Sequence, residues 1–268
     1  MMPASMLRIT SKNNPRLKEA FRLVTSSRDR RKAGKCVLEG EHLVDAYAQR
    51  FGAPLTLVVT DDFLDRPPAR RLAERFESCT LVVPSQIFDE LSVLPAGVGM
   101  LAVVDTPRPS AERFGDFCLL LDGVQDPGNV GSMLRSAAAA GVSHALLSPR
   151  CAFVWAPKVL RAGMGAHFHL SLHEDVDLPQ WAREHRGRGG SVVATVRDGG
   201  VDLYGATLRA PLAVAIGSEG EGLTAELLAA ASQKVTIPMP GKVESLNAAA
   251  AAAIVLFECV RRAAKTAQ

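Results

Sequence analysis

The chain is short of aromatic residues, which make up 5% of its 268 positions. Close packing therefore falls to small side chains, alanine above all. It has no long hydrophobic run. The longest, Ala248–Phe257, ends at Glu258, about half the ~20 residues that a spanning helix needs. Its five cysteines, Cys36, Cys79, Cys118, Cys151 and Cys259, form no C-x-x-C pair and are odd in number. This excludes a disulfide framework and reads as buried thiols in a reducing compartment. No His/Cys/Asp cluster has metal-ligand spacing. His167, His169 and His173 alternate along a strand-like run, which suits core or surface placement better than a metal site. No apolar stretch follows a basic start, so a secretory signal is not expected. These absences together predict a soluble, cytoplasmic protein without a metal.

The length suits two domains of ordinary size. Net charge is only +3, but it is unevenly placed. Residues 1–35 hold Arg8, Lys12, Arg16, Lys18, Arg22, Arg28, Arg30, Arg31, Lys32 and Lys35 against only Glu19 and Asp29. Such a cluster attracts polyanions, although a solvated helix face would carry the same charges.

Apolar periodicity gives a helix over about Arg16–Arg31, then a strand at Cys36–Leu38 and a helix near Glu41–Arg50. Strands follow at Leu55–Val59, Leu81–Val83 and Met100–Val104, with helices at Arg70–Phe76 and Ser85–Leu91 between them. This alternation predicts a small α/β domain over 1–105. The Pro-rich stretch from Asp105 to Ser110 opens a linker, placed at 106–116. A second α/β domain, 117–268, starts with the buried strand Phe117–Leu121. A helix over about Val130–Ala140 is closed by Gly141. Strands at Ala145–Leu147, Phe168–Leu172, Ser191–Thr195, Leu212–Ile216 and Val235–Ile237 follow, with helices near Lys158–Met164 and Ala225–Ser232. Ser245 is the expected N-cap of a long Ala-rich helix reaching about Ala264.

Three loops after buried strands stand out, because ligands of open α/β sheets bind at the carboxyl ends of strands. The first runs Leu121-Asp122-Gly123-Val124-Gln125-Asp126-Pro127-Gly128-Asn129-Val130-Gly131-Ser132-Met133-Leu134-Arg135. Asn129 and Arg135 could reach one cleft, or serve as a plain cap and a solvent-facing cation. The second, Ile216-Gly217-Ser218-Glu219-Gly220-Glu221-Gly222-Leu223, has neither dinucleotide nor P-loop spacing. It reads equally as a backbone-lined ligand loop or a flexible turn. The third, Ile237-Pro238-Met239-Pro240-Gly241-Lys242-Val243-Glu244-Ser245-Leu246-Asn247, is a stiff strand-to-helix loop. Capping explains Ser245 there but says little about Asn247.

In order, spacing and content these three segments resemble the SpoU (TrmH) family of SPOUT RNA methyltransferases over about residues 117–262. Residues 8–104, through the basic start and Leu38-Glu39-Gly40-Glu41, look like that family's L30e-like substrate-binding domain. The resemblance implies a parallel-sheet SPOUT catalytic domain with a C-terminal deep trefoil knot, and a homodimer. It implies an S-adenosylmethionine site at Thr195, Gly217, Ile237, Met239 and Leu246. It places catalytic positions on Asn129, Arg135, Glu219, Ser245 and Asn247. One departure is Gly163, in Arg161-Ala162-Gly163-Met164-Gly165-Ala166, where relatives often have Ser.

The implied reaction is methyl transfer to a ribose 2′-OH of RNA, with 23S-type ribosomal RNA the expected substrate. A tRNA ribose methyltransferase, a base methyltransferase of the wider knotted group and a non-catalytic RNA-binding or ribosome-assembly protein are the competing readings. Arg135 is the residue the family points to for the hydroxyl proton. A guanidinium pKa of ~12.5 or above makes it a poor base. The expectation is that Arg135 binds phosphate and hydroxyl, that a substrate phosphate or water takes the proton, and that Glu219 orients Arg135 or Asn129.

Overall fold

A computed structural model describes residues 6–91, 98–109 and 114–266. Residues 110–113 of the expected linker lie outside this set. The chain divides into two compact units: Met1–Pro107 with Trp155–Phe168, and Arg108–Val154 with His169–Gln268.

The first unit is built on five strands: β1 (Leu7–Arg8), β2 (Lys35–Glu39), β3 (Thr56–Thr60), β4 (Thr80–Val83) and β5 (Met100–Asp105). Their order is β1-β4-β3-β5-β2. β1, β3 and β4 run parallel, and β5 lies antiparallel to both β2 and β3. Helices α1 (Pro15–Thr25), α2 (Ser27–Ala33), α3 (Glu41–Phe51), α4 (Pro67–Arg75) and α5 (Ser85–Leu91) accompany it. Leu17, Phe21, Leu23, Val58 and Phe88 centre the core.

The single helix expected over Arg16–Arg31 is two helices. Ser26 is extended, and its hydroxyl accepts from the Asp29 N–H, so the residue that ends α1 also starts α2. The break frees carbonyls at the end of α1. Arg30, 5% exposed, turns inward and donates to the carbonyls of Leu23 and Val24.

The second unit holds β6 (Phe117–Asp122), α6 (Pro127–Ala139) and β7 (His144–Leu147). The chain then contributes α7 (Pro157–Gly163) to the first unit. It returns with β8 (Ser171–His173), α8 (Leu178–Gly187), β9 (Ser191–Thr195), β10 (Val201–Asp202), β11 (Leu212–Gly217), α9 (Ala225–Ala230), β12 (Gln233–Thr236) and α10 (Ala248–Thr266). All seven strands are parallel, in the order β10-β12-β9-β11-β6-β7-β8. Strands covered on both faces read as apolar runs: β6 is FCLLLD and β11 is LAVAIG. The chain leaves β6 toward β7 on one side and β11 toward β12 on the other, so the connections diverge at the carboxyl ends of adjacent strands. That divergence is the usual place for a ligand crevice.

The fold differs from the expectations at three further points. The strand expected at Phe168–Leu172 is displaced, with a 3-10 turn at Ala166–Phe168 and the strand at Ser171–His173. His167 and His173 therefore fall in different units and share no strand. α8 was not anticipated, although Asp177 caps it by accepting from the Gln180 N–H and Trp181 and Ala182 bury one face. The N-cap of α10 is Asn247 and not Ser245. The helix starts at Ala248, and the Asn247 side-chain oxygen accepts from the N–H groups of Ala249 and Ala250 at 3.0 and 3.1 Å. Ser245 stands two residues too early for that role.

Candidate active site

Three side chains from three loops of the second unit meet. Asn129 lies in the first turn of α6, and its side chain is free because Asp126 is the cap, accepting from the Asn129 N–H at 2.7 Å. The cap on α10 fixes the Asn247 carboxamide with its oxygen toward the helix, so its NH2 must face outward. That NH2 donates to Asn129 Oδ1 at 3.0 Å and lies 3.3 Å from Glu219 Oε1. Asn129 Oδ1 is thus an acceptor, and the Asn129 NH2 donates to Glu219 Oε1. One carboxylate oxygen collects two amide donors, leaving the rest of the carboxylate to accept from a hydroxyl.

Glu219 is presented by a closed turn. The Ser218 N–H donates to the Gly222 carbonyl at 3.1 Å, the Gly222 N–H to the Ser218 carbonyl at 3.0 Å, and the Glu221 N–H to Ser218 Oγ at 3.2 Å. A Cβ on Gly217 would lie 2.1 Å from the Gly222 carbonyl carbon, so only glycine permits this closure. The segment is hydrogen-bonded rather than a floppy connector.

Behind the turn is a cleft of about 670 Å³ at the carboxyl ends of β9, β11 and β12. All five expected cofactor positions line it: Thr195, Gly217, Ile237, Met239 and Leu246. So do Glu219, Ser245 and Asn247. Thr195 Oγ1 is buried without a hydrogen-bond partner among the described residues. No backbone–backbone hydrogen bond involves residues 238–246 among the described residues, so the peptide groups of this loop are available to a ligand.

Arg135 is not brought to this cleft. It is exposed, lines no part of the cavity and makes no hydrogen bond or ion pair among the described residues. Six residues along a helix is about 240° of rotation, so Arg135 leaves α6 on a different side from Asn129. The contact of Glu219 is with Asn129, not with Arg135. Sequence reasoning missed Arg197 and Asp198, adjacent lining residues paired at 2.7 Å. It also passed over Asp122. A charged residue ending the apolar strand β6 was the available signal, and Asp122 proves to be buried.

Among the described residues, no group of three or more His, Cys, Asp or Glu side chains is placed to hold a metal ion, and no helix is long and apolar enough to cross a membrane.

The chain is similar to a tRNA/rRNA methyltransferase of Synechocystis sp., 33% identical over 95% of this chain and 93% of the relative. It is 31% identical to the 23S rRNA (guanosine(2553)-2′-O)-methyltransferase RlmP of Bacillus subtilis, over 94% of this chain and 98% of that protein. The crystal structure of the SpoU methyltransferase AviRb from Streptomyces viridochromogenes, in complex with the cofactor AdoMet, superposes with a TM-score of 0.82. It is 26% identical, over 94% of this chain and 100% of that one. Residues 116–257 match the model of the SpoU rRNA Methylase family, and the chain belongs to that family.

Proposed function

We propose that the cleft behind Glu219 receives S-adenosylmethionine and that Asn129, Glu219 and Asn247 orient the ribose hydroxyl that takes its methyl group. The chain is a methyltransferase acting on RNA at the ribose 2′-oxygen, and 23S-type ribosomal RNA is the substrate proposed. The observation that carries the reading is the Asn129–Glu219–Asn247 ring at the rim of a cleft lined by the five expected cofactor residues.

The residues suit the cofactor. Ile237, Leu223 and Met239 offer apolar surface to an adenine, while Thr195 Oγ1 and the open peptide groups of 238–246 offer polar contacts to its edges and ribose. When bound, the sulfonium supplies an electrophilic methyl group. Glu219 accepts from the ribose hydroxyl and orients it, and a substrate phosphate or water takes the hydroxyl proton as the oxygen gains the methyl group. Asn129 and Asn247 fix the Glu219 carboxylate, and Ser245 stands exposed at the same rim. Positioning of this kind is worth several orders of magnitude in rate.

Arg135 acts on the RNA bound at a second copy's cleft, in a homodimer. This reading is supported by its absence from the lining of its own cleft and by α10, which packs on α6 while exposing Phe257 and Val260. A deep trefoil knot at the C-terminus and an L30e-like, RNA-binding first unit belong to the same reading, as does a cytoplasmic location. Calorimetric binding of S-adenosylmethionine, with maps of 2′-O-methyl sites in total RNA with and without the gene, tests it. Micromolar cofactor binding and one ribosomal site lost with the gene are expected. Absence of cofactor binding, or an unchanged map, overturns it.

A further inference from the structure

The side chain of Asp122 is not part of the ring or the cleft lining, yet it is placed to control both. It is the last residue of β6 and is 3% exposed. Its Oδ2 accepts two hydrogen bonds from one residue, the Thr224 N–H at 2.8 Å and the Thr224 hydroxyl at 2.7 Å. Thr224 is the N-cap residue of α9 and directly follows Leu223, a cleft-lining residue. In the sheet, Asp122 is paired with Gly217, where the Glu219 turn begins. The backbone of Asp122 thus runs forward into the loop that carries Asn129, and its side chain holds the far end of the loop that carries Glu219. The two loops that must present Asn129 and Glu219 to each other are fixed at one residue.

We infer that Asp122 is a positioning residue for methyl transfer: through Thr224 it holds the Gly217–Leu223 segment in register with the α6 loop, so that Glu219 meets Asn129 and the cleft keeps its shape. This deepens the function proposed above and rests on it. The physical basis is that a buried carboxylate oxygen accepting two donors is strongly held, whereas an amide in its place offers Thr224 only an uncharged, weaker acceptor and sets an NH2 where Oδ1 stood, a buried donor that needs a new acceptor.

The test compares Asp122→Asn, Thr224→Val and Thr224→Ser with the unaltered protein. Circular dichroism and melting curves confirm folding. S-adenosylmethionine affinity is measured by calorimetry, kcat and KM by methyl transfer, and amide hydrogen exchange over 217–224 without cofactor. Asp122→Asn is expected to weaken cofactor affinity about 10-fold or more, to lower kcat, and to speed exchange in 217–224. Thr224→Val, which keeps the backbone donor, should fall between, and Thr224→Ser, which keeps both donors, should behave as the unaltered protein. A folded Asp122→Asn protein with unchanged affinity, kcat and loop exchange overturns the inference, even if it melts earlier. Should Asp122→Asn not fold, Thr224→Val decides alone: unchanged affinity and loop exchange overturn the inference. An unaltered protein that binds no cofactor defeats the functional reading itself. Faster loop exchange in Asp122→Asn alongside a normal unaltered protein separates the two failures.

Discussion

The two units put their polar side chains to different uses. In the first, charged side chains mostly serve the fold. Arg30 is buried against carbonyls, Arg16 donates to the Cys79 carbonyl, and Glu39, with its side chain 1% exposed, pairs with Arg161. Arg8, Lys12, Arg22 and Lys35 pair with Asp61, Glu90, Asp29 and Glu19. In the second, Glu258 is likewise held by Arg261 and Arg262, but Asn129, Glu219 and Asn247 join one another at an open rim, and Arg135 pairs with nothing among the described residues. A large local charge excess is therefore a poor guide to a binding surface until the side chains used internally are subtracted. Polar groups gathered where parallel strands end are a better one.

The largest effect expected on stability tests the structural half of this contrast. Burial raises the Glu39 carboxyl above its ordinary range, while the hydrogen bond and charge of Arg161 pull it back. Arg161→Ala leaves Glu39 buried and unpaired, which costs about 3–5 kcal/mol for a fully buried pair, and about 3 here because Arg161 is partly exposed. The Glu39 pKa then rises further. A carboxyl whose folded pKa exceeds its unfolded one stabilises below the unfolded value and loses that contribution as pH climbs through the folded value. Urea melts should thus show the variant losing more stability at pH 8 than at pH 5. Glu39→Leu with Arg161→Ala should recover part of the loss. A variant with equal losses at both pH values would place the charge of Glu39 elsewhere.

Arg135 is the strongest test of the functional half. Arg135→Ala should reduce single-turnover methyl transfer on the order of 10²-fold or more, as for a lost positioning and charge-stabilising group. Arg135→Lys should retain part of the activity, since a point charge still meets a phosphate. Melting temperature and cofactor affinity should not move in either variant, because Arg135 is exposed and away from its own cleft. A lysine variant as inactive as alanine, with normal affinities, would demand guanidinium geometry or a base role.

How much of this was legible in sequence follows from range. β6 and β11 announce themselves because a fully buried parallel strand is a continuous apolar run. The cleft residues were legible as loops after such strands. What escaped depended on one side chain choosing among nearby N–H groups. Ser26 splits a helix that periodicity alone continues, and Asn247 caps α10 where Ser245 has equal propensity. The joining of Trp155–Phe168 to the first unit rests on long-range contacts, Tyr47 against Phe168 and Glu39 with Arg161, which no local pattern encodes.

Asn247 separates capping from site chemistry in one residue. Asn247→Ala removes both, costing about 1 kcal/mol of stability from the cap together with most of the activity. Asn247→Asp keeps the acceptor for Ala249 and Ala250 but sets a second carboxylate beside Glu219. Its melting temperature should stay within about 2 °C of the unaltered protein, while kcat falls as far as in the alanine variant. An active aspartate variant would show that the Asn247 amide is not needed as a donor.

The smallest effect is expected at the basic helix α2, where the subtraction of internally used charges matters most. Arg28 and Lys32 are exposed, lie four residues apart on one helix face, and make no ion pair among the described residues. Arg30, between them in sequence, points inward. If the first unit binds RNA phosphates, Arg28→Gln with Lys32→Gln should weaken RNA binding and lower the slope of log affinity against log salt by about 1.5, the counterion release of two phosphate contacts. Stability and cofactor affinity should be unchanged. Arg30→Gln should do the reverse: it strips donors from the Leu23 and Val24 carbonyls, a loss of about 1–3 kcal/mol, and any change in RNA affinity should vanish when folded fractions are matched. Filter binding across a salt series, with melts of each variant, makes the distinction. A normal slope in the double variant would assign Arg28 and Lys32 to solvation, and a reduced slope in a fully folded Arg30→Gln protein would mean that this buried arginine reaches RNA after a local opening of α2.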